Sequence, residues 1–496
     1  MVSIRRIRVY RFFNASVFFL LTLLQMIIVS WISISQVPDE GSDFTFAKIL
    51  GFYISINPFS ELRFTAVLVI LTGGLQILLL IFLVNVVFSN KNMIQIFPLP
   101  KKGMAHLPEE EELVNKTINI VSNVAERTKI KVKKIFVYRK SVPNAFSLDL
   151  IPIPFLRRPY IVLNTNVLEI LSDNEIEAVV AHELAHVKHG DSLFRLILSI
   201  PRLFLNLAYL FIYLQVLTGI QNSLFETFRL IDAIERTLFL GLIYLVIAIL
   251  TKFTVRFLYS ANRQAEFLSD YFAAQAVGSN ILINSLIHLG QRSETMQILS
   301  HEIEWLNGLA GEKKPSADFM RNINHRFPRT QLNEDVAREM APRIFLEEKL
   351  HSLMTAYGLK IDLDYRDQLI SQAVPSLLEK RMKFFESMVE SDEVLTPTKL
   401  KEKTIDWRKF DSDESYYLEA EELDNFIVTL LSHPQKMVFE HEILQTPEKD
   451  SDHPSFRTRI LQIYKIFHPQ NYSKILDEIL SQQPDTTNSE DIVSNN

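Results

Sequence analysis

The sequence predicts a mainly α integral membrane protein, with four transmembrane helices, a cytoplasmic α+β domain and a helical C-terminal region. Three observations carry that expectation. Long uncharged apolar stretches recur along the chain, the charges at alternate ends of these stretches are basic, and short β-rich runs lie between them beside strongly periodic helices. The chain has 496 residues, 48% hydrophobic and 22% charged, enough for a buried core and for two to four units at about 150 residues each. Gly is scarce at 13 and Phe abundant at 35, which excludes collagen-like, disordered and Gly-rich linker proteins.

Charge and cysteine usage narrow the chemistry. Lys+Arg number 52 against 58 Asp+Glu, a net charge of −6, so no global basic field invites nucleic acid. The chain has no cysteine. Disulfides, thiolate zinc sites, iron–sulfur ligation and cysteine nucleophiles are therefore excluded, and any metal must be held by His, Asp and Glu.

The first two apolar stretches, Phe12 to Ser35 and Phe64 to Asn90, can each cross about 30 Å of hydrocarbon as helices. Leu203 to Phe225 qualifies equally; Thr237 to Thr251 is shorter and borrows Lys252 to about Leu258 by snorkelling. The basic flank and the Ser33-Ile34-Ser35 site of the first stretch resemble a cleaved signal peptide, but its apolar run far exceeds the usual 7–15 residues. Arg5, Arg6, Arg8 and Arg11 precede span one, Lys91, Lys101 and Lys102 follow span two, and Lys188, Arg195 and Arg202 precede span three. Lys252, Arg256 and Arg263 accompany the end of span four, whereas Gln36 to Arg63 is acidic. The positive-inside rule puts both termini, Lys91 to Arg202 and everything after span four in the cytoplasm, as in a multi-pass protein of the plasma (inner) membrane.

The predicted organisation is a transmembrane hairpin over 1–90, a first part of the α+β domain over 91–202, a second hairpin over 203–258 and a second part of that domain over 259–280. A helical insertion or cap over 281–440, a C-terminal part of the same domain over 441–481 and a disordered tail over 482–496 follow. Within 91–202, Glu109 to Thr128 reads as an amphipathic helix, and Lys133 to Tyr138, Ala145 to Leu150 and Tyr160 to Leu163 as short strands. Ser172-x-x-Glu175 is a capping box that opens the next helix, whose stripe is Ile176, Val179 and Val180.

That helix carries His182-Glu183-Leu184-Ala185-His186, the H-E-x-x-H pattern. A separation of four places both imidazoles on one face, where they can share one Zn²⁺, and Glu183 lies beside them to take a proton from water. A catalytic zinc wants a third protein ligand. His189 would crowd a tetrahedral site from one short helix, and Ser192 stands where a third histidine would complete H-E-x-x-H-x-x-G-x-x-H. Glu266 is the better candidate, with Asp270 on the same helical face to orient a ligating imidazole.

These landmarks resemble the membrane-bound zinc peptidases that include HtpX-type quality-control proteases and the C-a-a-X prenyl endopeptidase. The resemblance covers roughly Lys91 to Ala274, with Asn144-Ala145-Phe146, the H-E-x-x-H helix and Glu266-x-x-x-Asp270, and a short later piece, His453-Pro454-Ser455-x-x-x-Arg459. It implies a zincin-like catalytic domain with one zinc on His182, His186 and Glu266. It also implies a substrate cleft lined by Asn144, Ala145 and Phe146, with His453 and Arg459 near the scissile carbonyl. Four spans with a cytosolic site suggest the HtpX type. Polypeptide substrates are then expected, misfolded or surplus membrane proteins at the lipid bilayer, and no nucleic acid.

Departures are Ser269 in place of alanine, Asn166 in place of glycine and the long stretch between Asp270 and His453; Ser432-His433-Pro434 and His468-Pro469 are competing His-Pro pairs. An intramembrane protease is disfavoured by the polar flanks Ser172 to Glu177 and Lys188 to Asp191. An inactive scaffold or assembly factor and a prenyl-protein endopeptidase are the alternative functions.

Overall fold

The computed structural model describes residues 4–35, 45–49, 52–56, 74–75, 78, 93–98, 108–138, 144–148, 159–226, 230–311, 334–389, 397–444, 451 and 453–482. Among the described residues the chain is mostly helical, with two small sheets. Helix α1 (Ile4–Trp31) leads into strands β1 (Ile32–Ser35), β2 (Thr45–Ile49) and β3 (Phe52–Ile56), an antiparallel sheet of order β1-β3-β2. The helix thus ends four residues before the predicted end of span one. Ile32-Ser33-Ile34-Ser35 alternates apolar and polar with period two, and its residues pair with Ile56 through Tyr53. Most of the predicted second span, 64–90, lies outside the described residues.

The second sheet is built from β4 (Met93–Phe97), β5 (Lys134–Tyr138), β6 (Ala145–Leu148) and β7 (Tyr160–Asn164), in the order β4-β5-β7-β6. Strands β5 and β7 run parallel, and the other pairs antiparallel. This leaves β6 at an edge. Helix α2 (Pro108–Thr128) precedes β5; α3 (Thr165–Ile170) and α4 (Asp173–His189) follow β7. The predicted capping box is present at Ser172 and Glu175, and Ile176, Ala178, Val180, Ala181, Leu184 and Ala185 are fully buried. At roughly 1.5–3 kcal/mol for each buried large aliphatic side chain, this packing fixes the helix far more firmly than its cap does.

Helix α5 (Asp191–Gln221) and a π-helical turn, Asn222–Glu226, contain the predicted third span. The predicted fourth lies inside α6 (Leu230–Val277), a helix of 48 residues. Among the described residues, Ile4–Gln25 and Ala233–Val277 are the stretches long and apolar enough to cross a membrane, with mean hydropathies of 1.4 and 2.3. They pack together through Ala15, Phe18 and Ala261, with Leu198 of α5 joining the cluster, and Asn14 donates to Ser260 (2.9 Å) and Gln25 to Thr254 (2.8 Å) across the pair.

Helices α7 (Ser279–Leu309), α8 (Glu334–Tyr357), α9 (Leu363–Val389), α10 (Pro397–Glu402), α11 (Ala420–Ser432), α12 (Glu440–Leu444), α13 (Phe456–Phe467) and α14 (Pro469–Gln482) complete the chain. Part of the predicted cap over 281–440 packs into the main core. Leu282, Ile283, Leu286 and Ile287, together with Trp407, Phe426 and Ile427, belong to the same buried cluster as the sheet and α4. His288 lies 2.7 Å from the capping carboxylate of Glu175. The far half of α7 forms a satellite core with Ala337, Ala341, Ile344 and Phe345 of α8. The predicted disordered tail lies outside the described residues after Gln482.

Candidate metal centre

The four-residue spacing on α4 places the His182 and His186 rings 4.8 Å apart with their Nε2 atoms 3.1 Å apart. Helix α6 crosses this face and supplies Glu266 and Asp270 one turn apart. A Glu266 carboxylate oxygen lies 3.4 Å from His182 Nε2, and the other lies 3.7 Å from His186 Nε2. Ligands at about 2.0–2.1 Å from a tetrahedral zinc are roughly 3.3 Å apart, so these three separations, 3.1 to 3.7 Å, match such a site. His189 is not part of this group; it lies against Phe272, and burial pushes its imidazole down to about 4.

The far ring nitrogens face carboxylates. His182 Nδ1 lies 2.9 Å from Asp270, and His186 Nδ1 hydrogen bonds Asp191 at 2.6 Å. With both Nδ1 atoms holding protons toward these carboxylates, the two Nε2 lone pairs point at each other and at Glu266, an arrangement that a divalent cation relieves. The same carboxylates favour positive charge at this place. Burial opposes charge on His182, but Asp270 and Glu266 outweigh it and hold the imidazole at about 10. Burial likewise opposes ionisation of Glu266, yet His182 and His453 keep the carboxyl well below its usual range.

Asp191 is the residue that sequence reasoning left without a role. Gly190 adopts a left-handed backbone (φ 70°) and ends α4 by donating to the carbonyls of His186 and Val187, a conformation that favours glycine. The chain reverses there and carries Asp191 back onto His186. A second, buried partner of Asp191 is Arg11 of α1. Ser269, one of the departures, reaches His186 Nδ1 at 3.2 Å, and Asn166, the other, accepts from Arg292 at 3.2 Å.

His453 and Arg459 both approach the site, in different ways. His453 Nδ1 lies 3.3 Å from Glu266, with its side chain 63% exposed. Arg459 lines the cavity over the centre, and its guanidinium makes two hydrogen bonds to Asp270, at 2.8 and 2.5 Å. A buried guanidinium is satisfied best by a planar carboxylate, and Asp270 offers one. The rival histidines lie elsewhere. His433 caps α11, and His468 stacks on Tyr464 and hydrogen bonds Ser279. A cavity of about 440 Å³ over the centre is lined by Asn144, Ala145, Phe146, Glu183, His453 and Arg459, among others. Ser147 of β6 donates to the Glu183 carbonyl at 2.9 Å, tying the edge strand to the helix.

Comparison with known proteins meets this geometry. Residues 111–289 match peptidase family M48. The match runs from the start of α2 through α4 and α6 into α7, and so contains His182, Glu183, His186 and Glu266. The chain is similar to a protease HtpX homologue of Thermodesulfovibrio yellowstonii, 30% identical over 21% of this chain and 34% of that protein. It is also similar to one of Campylobacter concisus, 32% identical over 24% and 41%. A protease HtpX of Legionella pneumophila is 29% identical over 39% of this chain and 68% of its own length. The chain thus spans only about a third to two fifths of the first two relatives. No solved structure matches it.

Proposed function

We propose that the chain is a zinc-dependent endopeptidase at the cytoplasmic face of a membrane, acting on misfolded or surplus membrane proteins. The observation that carries this reading is the convergence of two imidazole Nε2 atoms and one carboxylate in a cavity that is also lined by Glu183 and by an edge strand. Zinc held by His182, His186 and Glu266 would act as a Lewis acid on the scissile carbonyl and the attacking water.

The chain's own residues do the rest. Glu183 takes the proton from the attacking water and passes it to the leaving amine, and His453 donates to the developing oxyanion. Asp270 and Asp191 fix the tautomer and tilt of the two ligand rings, and Arg459 holds Asp270 in place. A substrate segment lies extended along β6, where main-chain hydrogen bonds bind it with little regard to its sequence. The exposed apolar side chains of α1 and α6, such as Phe12 at 69% and Ile249 at 59%, favour a lipid-facing surface.

The test is Glu183→Gln in the full-length protein. It should retain metal and lose cleavage of casein by a factor on the order of 10²–10⁴. Near wild-type turnover would overturn the assignment. Wild-type protein that binds zinc but cleaves nothing would favour the scaffold alternative.

A further inference from the structure

Arg6 of α1 and Lys465 of α13 are far apart in sequence, yet the fold brings them to one cavity. Its volume is about 380 Å³, and Arg457 is its third cation. The remaining lining is polar or apolar, including Tyr10, Gln264 and Gln462, and among the described residues no carboxylate lines it. Arg6 donates to the Tyr10 hydroxyl (3.3 Å) and Arg457 to the Leu430 carbonyl (2.9 Å), and burial, with the neighbouring Arg6 charge, pushes Lys465 below its ordinary value. Like charges gathered in a half-buried cavity repel one another, and a bound anion relieves that repulsion.

The position of the cavity identifies the anion. It lies at the basic start of α1, where the helix passes into its apolar run. Just beyond it Phe12 and Phe13 are 69% and 57% exposed, a surface suited to acyl chains. A cationic cavity bordered by exposed apolar residues at the entry of a span lies at headgroup depth. We propose that this cavity binds the phosphate headgroup of an anionic glycerophospholipid of the cytoplasmic leaflet, with its acyl chains along the exposed face of α1.

This inference rests on the reading of α1 as a membrane span. Full-length protein in mild detergent is offered equal phosphatidylglycerol and phosphatidylcholine, and the retained lipid is identified by native mass spectrometry. Wild-type protein should retain phosphatidylglycerol preferentially. Arg6→Gln combined with Lys465→Gln should weaken that preference roughly 30-fold, each charge near the headgroups accounting for about fivefold. Unchanged metal content and melting temperature show that the double variant has folded, and Arg5, Arg8 and Arg11 preserve its topology.

Equal retention of the two lipids by the wild type, or an undiminished preference in the variant, would overturn the site. Displacement of the lipid by millimolar inorganic phosphate would overturn the lipid in favour of a soluble anion. A protein that carbonate extracts from membranes would overturn the span reading instead, a result separable from the others.

Discussion

Arg11, in the first helix of the chain, donates a buried hydrogen bond to Asp191, 180 residues further on. The other carboxylate oxygen of Asp191 bonds the imidazole of His186. An apolar helix that looks like an anchor therefore reaches the metal centre through two contacts.

Removing either contact should loosen the metal. Asp191→Asn and Arg11→Gln are each expected to lower zinc affinity by roughly 10–100-fold, the usual effect of losing an outer partner of a ligating histidine. Arg11→Lys should lose less, because it keeps the charge and forfeits only the geometry of the guanidinium. Titration with a competing chelator measures this. Wild-type affinity in both Asp191→Asn and Arg11→Gln would separate the first helix from the site.

His453 stands at the open side of the centre, against Glu266. His453→Ala should lower kcat by a factor on the order of 10²–10³, as losing one oxyanion donor does, and leave zinc content unchanged. His433→Ala, which alters a helix end, should change neither. A normal rate for His453→Ala would leave the oxyanion to the metal alone.

Acid should destabilise the C-terminal part of the core through His441. Burial pushes its imidazole down to about 4, and it packs between Phe439 and Phe456. Between about pH 6.5 and pH 4 the unfolded chain binds a proton there that the folded chain refuses. Stability is therefore present above pH 6.5 and falls on acidification, by at most about 1.4 kcal/mol per pH unit for one proton. His441→Phe should flatten this dependence. Melting temperatures recorded across that window would show it, and parallel curves for the two proteins would contradict it.

The site was legible wherever its chemistry repeats with the helical period. His182 and His186, and then Glu266 and Asp270, are pairs four apart, and the structure brings both pairs to one place. Asp191 was half legible. Gly190 marks a helix end and the acidic residue after it opens the next helix, but its partnership with Arg11 is tertiary and leaves no trace in local spacing. Arg459 shows the opposite case: its place beside the cleft is legible in the motif, but its two hydrogen bonds to Asp270 are tertiary and leave no trace in local spacing. In the fold, the apolar run of span one concealed a change of period at Ile32, because both a helix and a strand are satisfied by apolar residues there. The stretch 281–440 reads as an insertion or cap because its helices lack a motif, although residues of α7 and α11 belong to the main core.

The most direct test of the central claim is the zinc content of purified full-length protein, wild type beside Glu266→Ala, after dialysis against a weak chelator. About one zinc per wild-type chain and near loss of it in Glu266→Ala, at unchanged helicity, are the results predicted for three protein ligands. Equal zinc in the two proteins, or none in the wild type, would contradict a centre built on His182, His186 and Glu266.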